Sequence, residues 1–322
     1  MQNVRIYGTL GPACSDTEIL KQMISEGLDG MRLNLSHTTL EASADLIEAY
    51  QTAAQACGVS PLLLIDMQGP ELRLGTLRTP IRLNSGESID ATALPFPEEV
   101  LAALNPGQEI LLDDGKMLLK AENGRLRVLR GGILQSRKSV ALPGTVIRTP
   151  AMTKADREQI LRAQAFGVSG VMQPFVRSRE DLIAVRGTLD AAGCESVRLL
   201  AKIENTDGVA HLNELIPFCD EIVIARGDLG NAMSLWELPA AQKRIASVCR
   251  EAGRDFMVVT QMLDSMTHKA VPTRAEVCDI FNAVLDGASS VMVTGETASG
   301  DYPVQAIRYL NRTVREAEAY QS

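Results

Sequence analysis

Arg198-Leu199-Leu200-Ala201-Lys202-Ile203-Glu204-Asn205 and Glu221-Ile222-Val223-Ile224-Ala225-Arg226-Gly227-Asp228-Leu229-Gly230 decide how this chain folds. Each is a short apolar run that ends by presenting charged groups, the pattern of a buried parallel strand whose last residues emerge at the rim of a barrel. Lys202 and Glu204 are two residues apart, so on an extended chain their side chains leave from one face. Glu204 and Asp228, from neighbouring strands, can share a hard divalent cation, Mg²⁺ or Mn²⁺, while Lys202 supplies fixed positive charge at the same opening. Such a site suits a phosphate or an enolate. The bland alternative is a salt-bridge network in which Lys202 and Arg226 neutralise the two carboxylates.

Working outward, short apolar runs alternate with longer amphipathic stretches, as βα units do around a parallel sheet. Eight candidate strands are read: Val4–Leu10, Gly30–Leu35, Leu62–Met67, Gly170–Met172, Arg198–Ile203, Glu221–Ala225, Phe256–Thr260 and Ser290–Thr294. Eight close a barrel, so the fold is α/β, a TIM (β/α)8 barrel. Helix starts are marked by Ser15-Asp16-Thr17-Glu18 and Thr153-Lys154-Ala155-Asp156, and helix ends by pairs such as Glu26-Gly27 and Ala252-Gly253. Between the third strand and Gly144 the pattern breaks into β-like segments (Glu109–Leu112, Lys116–Lys120, Arg125–Leu129) with Asn-Gly and Asp-Gly turns. The expected organisation is therefore a first barrel part over residues 1–73, a small all-β domain over 74–143 inserted after the third strand, and the rest of the barrel over 144–322. An insertion at the carboxyl end of a barrel strand overhangs the active-site face and can act as a lid; its bland reading is a decorative or oligomer-forming module.

A length of 322 residues suits a barrel of about 250 residues with one modest insertion. Net charge of −8 argues against a broad polyanion-binding face, so nucleic acid is not an expected partner. Six cysteines without CxxC spacing and only three histidines indicate neither a disulfide framework nor a zinc site. No run approaches a membrane span, and the start of the chain lacks a signal-peptide segment, so the expectation is a reduced cytoplasmic protein away from membranes.

Polar residues cluster at the expected strand ends: Arg32, Asn34 and Ser36 after the second, Asp66 after the third, Lys202 and Glu204 after the fifth, Asp228 after the sixth and Thr260 after the seventh. In a barrel all of these converge on one rim. Gly227 gives flexible backbone beside the carboxylates, where amide N–H groups can approach an anionic substrate. Taken singly, a strand-end Asp or Glu more often caps a helix or pairs with a neighbour; the coincidence is the signal. No GxxxxGK[ST] segment is present, and Gly8-Thr9-Leu10-Gly11-Pro12 is not a dinucleotide fingerprint.

These segments resemble the pyruvate kinase family. Thr9-Leu10-Gly11-Pro12-Ala13, Arg32-Leu33-Asn34-Leu35-Ser36-His37, Asp66-Met67-Gln68-Gly69-Pro70-Glu71-Leu72-Arg73, Ala201-Lys202-Ile203-Glu204-Asn205, Ala225-Arg226-Gly227-Asp228-Leu229-Gly230, Thr260-Gln261-Met262-Leu263-Asp264-Ser265-Met266 and Gly295-Glu296-Thr297-Ala298 look like its segments, in its order. The resemblance implies phosphoryl transfer between phosphoenolpyruvate and ADP, giving pyruvate and ATP through a Mg-bound enolpyruvate. It implies that Glu204 and Asp228 hold the divalent metal, that Lys202 stabilises charge on the phosphoryl group and enolate, that Arg32 contacts the phosphoryl group and that Thr260, with Gly227 and Asp228 in the substrate pocket, lies near the protonated carbon. Asn34, Ser36, Asp66 and the carbonyl of Met67 would hold a monovalent cation such as K⁺; Arg73 and His37 match positions near the nucleotide. A homo-oligomer is expected, as is the absence of the C-terminal effector-binding domain of typical members, since the sequence stops soon after Arg315-Glu316-Ala317-Glu318. Gln68, Pro174 and Ala155 depart from the family pattern, which keeps open a metal-dependent lyase or aldolase acting on pyruvate or phosphoenolpyruvate without a nucleotide. A non-catalytic sensor of phosphoenolpyruvate or oxalate is a third reading, disfavoured by the intact Lys202 and Thr260.

Overall fold

Eight parallel strands form a closed barrel: β1 (Arg5–Thr9), β2 (Gly30–Asn34), β3 (Leu62–Asp66), β4 (Val168–Gln173), β5 (Arg198–Ile203), β6 (Glu221–Ala225), β7 (Asp255–Val259) and β8 (Ser290–Met292). The computed structural model describes residues 3–113, 115–145, 147 and 149–321. Met1, Gln2 and Ser322, the outer ends of the expected barrel segments, lie outside them. Strands follow one another around the ring in chain order, and β1 closes it by pairing Arg5, Ile6 and Tyr7 with Ser290, Val291 and Met292. All eight expected strands are present. β5 and β6 have the expected bounds, whereas β4 is longer and β7 and β8 stop at Val259 and Met292.

The two-residue pleat sorts each strand into an outward set that packs on helices and an inward set that fills the barrel. Leu199, Ala201, Ile203, Ile222 and Ile224 belong to the outer core, while Tyr7, Leu64, Met172, Leu200, Val223, Met257, Val259 and Met292 form a separate cluster inside. The same alternation makes Asp66 the next inward residue after Leu64, and Lys202 the next after Leu200. Charge therefore begins where the apolar plug ends, at the carboxyl rim. At the opposite end, the buried Glu221 is paired with Arg198 (3.0 Å) and accepts the Ser290 hydroxyl (2.5 Å).

Between β3 and β4 lies a unit with its own core, including Leu74, Leu83, Val100, Ile110, Leu119, Leu126, Val128 and Leu134. Five antiparallel strands and a separate two-stranded pair, Ile81–Leu83 with Gly132–Leu134, make up its sheets. Asn123 (φ 49°) and Gly124 (φ 80°) form the tight hairpin turn that joins Met117–Glu122 to Arg125–Arg130. Of the expected Asp114-Gly115 turn, Asp114 lies outside the described residues. The unit is not all β, which corrects the expectation: Glu98–Ala103 is an α-helix and Ala91–Ala93 a 3₁₀ turn. Pro97-Glu98-Glu99 begins that helix with acidic residues in its first turn, Leu and Ala favour it, and its Val100 is fully buried. Leu74 N–H donates to Lys138 and Val140 N–H to Leu72, so the outgoing and returning chains zip together as a neck above the rim.

Among the described residues no helix is long and apolar enough to cross a membrane. All six cysteines are unpaired thiols.

Candidate active site

Burial at the rim forces its charged groups to find partners. Lys202 Nζ lies 3.1 and 3.0 Å from the two carboxylate oxygens of Asp66 and 2.9 Å from Oε1 of Glu204. Arg32 reaches the same Asp66 Oδ2 through Nε at 2.8 Å and Nη2 at 2.7 Å. One continuous line, Arg32–Asp66–Lys202–Glu204, thus crosses from β2 through β3 to the end of β5. Glu204 Oε2 accepts the backbone N–H of Phe175 at 2.8 Å, a donor aimed by the positive φ of 52° at that residue.

These contacts divide the protonation states. For Lys202, burial pushes the pKa down, but Asp66 and Glu204 outweigh it and hold the ammonium well above its ordinary value. Burial likewise pushes Asp66 up, yet Lys202 and Arg32 leave it below the usual carboxylate range. Glu204 goes the other way: burial, reinforced by the negative charges of Asp228 and Asp66, exceeds the pull of Lys202 and raises its carboxyl to about 7. Three carboxylates crowd two cations.

The cleft over the rim has about 1880 Å³ of empty space, including volume open to solvent, and its wall contains Arg32, Asn34, Ser36, His37, Asp66, Met67, Arg73, Lys202, Gly227, Asp228 and Thr260. Glu204 faces an adjoining cavity beneath the inserted unit, which shares Asp228, Phe175 and Glu71 with the cleft. Every residue expected to serve in the site therefore lines one or the other of these two adjoining spaces. Among the described residues no group of three or more His, Cys, Asp or Glu gathers at metal-binding spacing, so a cation here would rest on the two carboxylates Glu204 and Asp228. Hard carboxylate oxygen donors fit Mg²⁺ or Mn²⁺. Asn34 Oδ1, the Ser36 hydroxyl, the Asp66 carboxylate and the Met67 carbonyl are oxygen donors as well; Asn34 Oδ1 accepts the Ser36 N–H at 3.2 Å, and both oxygens of Asp66 are shared with Lys202.

Arg226 departs from the bland salt-bridge reading. Its guanidinium turns to β7, donating to the Thr260 carbonyl from Nε (3.1 Å) and Nη2 (2.7 Å) and to Asp279 from Nη1 (2.6 Å). Thr260, expected to end the strand, lies just beyond it at φ 79°, and Gln261 follows at 55°. Left-handed backbone in a β-branched residue costs about 1–3 kcal/mol and persists only where neighbours enforce it. Gly227 makes room for it: a Cβ there would meet Thr260 Cγ2 at 3.1 Å.

The pyruvate kinase barrel-domain family model matches residues 1–307. A pyruvate kinase of Methylorubrum extorquens is 40% identical over 98% of this chain and 69% of its own length. One from Aeropyrum pernix is 37% identical over 95% of this chain and 69% of its own length, and one from Geobacillus stearothermophilus is 34% identical over 98% and 57%. The chain belongs to the pyruvate kinase family. Its pyruvate kinase relatives are phosphotransferases, and the chain is an enzyme of that class.

Within this pyruvate kinase barrel, the residues that hold the cleft in shape were not all found from sequence. Asp156 is buried and accepts the N–H groups of Gln68 (2.8 Å) and Gly69 (3.1 Å), besides capping its own helix through Thr153. The Thr153-x-x-Asp156 cap was legible; the second duty was not, because the loop it grips comes from far back in the chain. Gly69 (φ 61°) must be glycine for a further reason, since a Cβ would overlap the Pro174 ring. Pro174 thus fits a site built around it. Arg177 holds the other leg of the neck, donating to the carbonyls of Thr149 (2.6 Å) and Ile147 (3.3 Å) while paired with Asp181. Arg73, at the cleft mouth, is tied to Glu71 (2.8 Å) and to the Arg137 carbonyl (2.9 Å).

Proposed function

We propose that the chain transfers the phosphoryl group of phosphoenolpyruvate to ADP, giving pyruvate and ATP. The observation that carries this reading is the buried line Arg32–Asp66–Lys202–Glu204 with Asp228 beside it. It presents two permanent cations and a crowded carboxylate pair to one cleft. In the reaction the bridging phosphorus–oxygen bond of phosphoenolpyruvate breaks, an ADP oxygen takes the phosphoryl group, and the enolate left behind takes a proton at its methylene carbon. Arg32 and Lys202 neutralise charge that builds on the phosphoryl oxygens and the enolate oxygen, positioning plus electrostatics rather than covalent work. Asp66 serves by orienting both of them at once.

Lys202 holds its proton too tightly to hand it over. The proton for carbon comes instead by way of the Thr260 hydroxyl, which water reprotonates. Glu204 and Asp228 would hold Mg²⁺ or Mn²⁺, which when bound neutralises the substrate carboxylate and phosphate. Asn34, Ser36, Asp66 and the Met67 carbonyl would hold K⁺. Gly227 and Asp228 line the substrate pocket, and Arg73 and His37 stand on the nucleotide side. Residues 74–143 act as a lid, the barrel being 1–73 and 144–322; six unpaired thiols fit a reducing compartment such as the cytoplasm.

The test is ATP formation from phosphoenolpyruvate and ADP with Mg²⁺, with and without K⁺. ATP made in proportion to pyruvate supports the reading. Pyruvate consumed or produced by carbon–carbon bond chemistry, with no nucleotide requirement, would replace it with the lyase or aldolase reading, which Gln68 and the Glu71-bound Arg73 on the nucleotide side favour.

A further inference from the structure

Asp279 lies on the helix Arg274–Leu285, outside the cleft wall, with its carboxylate about a third exposed (35%). Its partner Arg226 is the residue at the start of the helix that follows β6, and is mostly covered (11%). The guanidinium forms a fork: one edge on Asp279, the other clasping the Thr260 carbonyl through two N–H groups, with Gln242 at 3.5 Å behind it. A planar guanidinium has its directions locked together, so fixing one edge aims the other. The aimed edge holds a carbonyl, and a carbonyl fixes the orientation of the peptide plane between Thr260 and Gln261, the two residues in left-handed backbone.

The helix carrying Asp279 is anchored to the same loop a second time. Glu276, which caps it through Thr273, also accepts the N–H (2.7 Å) and hydroxyl (2.6 Å) of Ser265. The Thr260 turn thus lies between a cleft-side glycine, Gly227, and an outer helix that reaches it through Arg226 and Ser265. We propose that Asp279 is a positioning residue for the reaction: by orienting Arg226 on the Thr260 carbonyl, it holds the strained turn that presents the Thr260 hydroxyl to the enolate carbon. This rests on the reading of Thr260 given above. A simple surface ion pair would have no such reach.

The test compares the parent chain with Asp279→Asn, Asp279→Glu and Thr260→Val. Each is assayed for kcat, KM for phosphoenolpyruvate, Mn²⁺ affinity, melting temperature, and exchange of pyruvate methyl protons with deuterium, which follows the proton step without phosphoryl transfer. Asp279→Asn is expected to lower both kcat and exchange about tenfold, part of the 10²–10⁴ that a placed acid or base contributes. KM and Mn²⁺ affinity should stay within twofold, and Asp279→Glu should recover most of the loss. Exchange and kcat within twofold of the parent in Asp279→Asn overturn the proposal, as does a parallel loss of metal and substrate binding without rescue by Glu. Thr260→Val separates the two layers. If it slows exchange while Asp279→Asn does not, the clamp is wrong and the role of Thr260 survives. If it exchanges like the parent, or the parent shows no exchange, the role of Thr260 fails and the proposal with it.

Discussion

Replacing Lys202 by Met removes one ammonium and leaves two carboxylates, Asp66 and Glu204, that it now touches at 2.9–3.1 Å in a site almost closed to water. Breaking one partner out of a buried ion pair costs about 3–5 kcal/mol, because the remaining charge stays desolvated. Here the loss is cushioned on both sides. Asp66 keeps Arg32, and Glu204, already raised to about 7, can take up a proton. The expected fall in stability is therefore at the low end, about 3 kcal/mol, and a folded protein is recovered. Turnover is another matter. In the proposed reaction Lys202 supplies charge where it develops during transfer, and deleting one such donor lowers kcat about 10²–10³-fold, or about 3–4 kcal/mol. Divalent binding should survive wherever Glu204 is ionised, which without Lys202 requires a higher pH than in the parent, since the carboxylates lose a competing cation rather than a ligand. Mn²⁺ titration across pH, thermal melting and a coupled pyruvate assay decide it. Turnover within tenfold of the parent, with the melt intact, would refute the role assigned to Lys202; loss of Mn²⁺ binding that no rise in pH restores would refute the charge argument itself.

Because Glu204 titrates upward, at about 7, a cation that needs its carboxylate competes with a proton there. Mn²⁺ affinity should be flat above pH 8 and fall by up to tenfold per unit below about 7, whereas an ordinary Glu near 4.3 would hold affinity constant down to pH 5; constant affinity from pH 8 to 6 would contradict the crowding of Glu204. Gly69→Ala forces a Cβ onto Pro174 at a left-handed position, so unfolding free energy should drop by about 2 kcal/mol, read from the denaturant midpoint. An unchanged midpoint would mean the loop simply moves aside. Asp156→Ala strips the loop amides of Gln68 and Gly69 and the cap of its own helix, and should cost about 2–4 kcal/mol of stability with a raised KM for the nucleotide. A stability loss without any change in KM would confine Asp156 to scaffolding.

Legibility followed the range of the interactions involved. β5 and β6 could be bounded from sequence because apolar runs flanked by charges and glycine mark both ends, and the rim position of Lys202 followed from strand parity alone. The helix at Glu98–Ala103 was not read, since six residues give too little periodicity to stand out among hairpin signals. Thr260 as a strand residue was a reasonable inference from its β-branched side chain. Its left-handed backbone is set against Arg226 and Gly227, which begin the helix after the neighbouring strand, and no local pattern encodes that. Arg226 was legible as a charge at the rim but not in direction: the neighbouring strand ends suggested Glu204 and Asp228, whereas Asp279, on the helix of the next βα unit, takes the guanidinium.

The position of the apolar plug explains why these charges act as one unit. Leu64 sits one inward step below Asp66 and Leu200 one step below Lys202, so the rim groups have a dry floor and can be solvated only from the cleft. In that setting the protonation of Lys202 is not intrinsic. Burial alone would drive it toward the neutral amine, and its charge persists because Asp66 and Glu204 face it. Asp66, in turn, stays ionised because Lys202 and Arg32 share it. Removing Asp66 would thus do more than delete one acid: it would weaken the ammonium and leave Arg32 without the partner that aims it. Against the raised Lys202 and the lowered Asp66, Glu204 is left at about 7, and it is the one placed beside Asp228. The floor therefore sets a division of labour, with Arg32, Asp66 and Lys202 locked in charge and Glu204 adjustable, which is the state a carboxylate needs if it is to exchange a proton for a divalent cation as substrate enters.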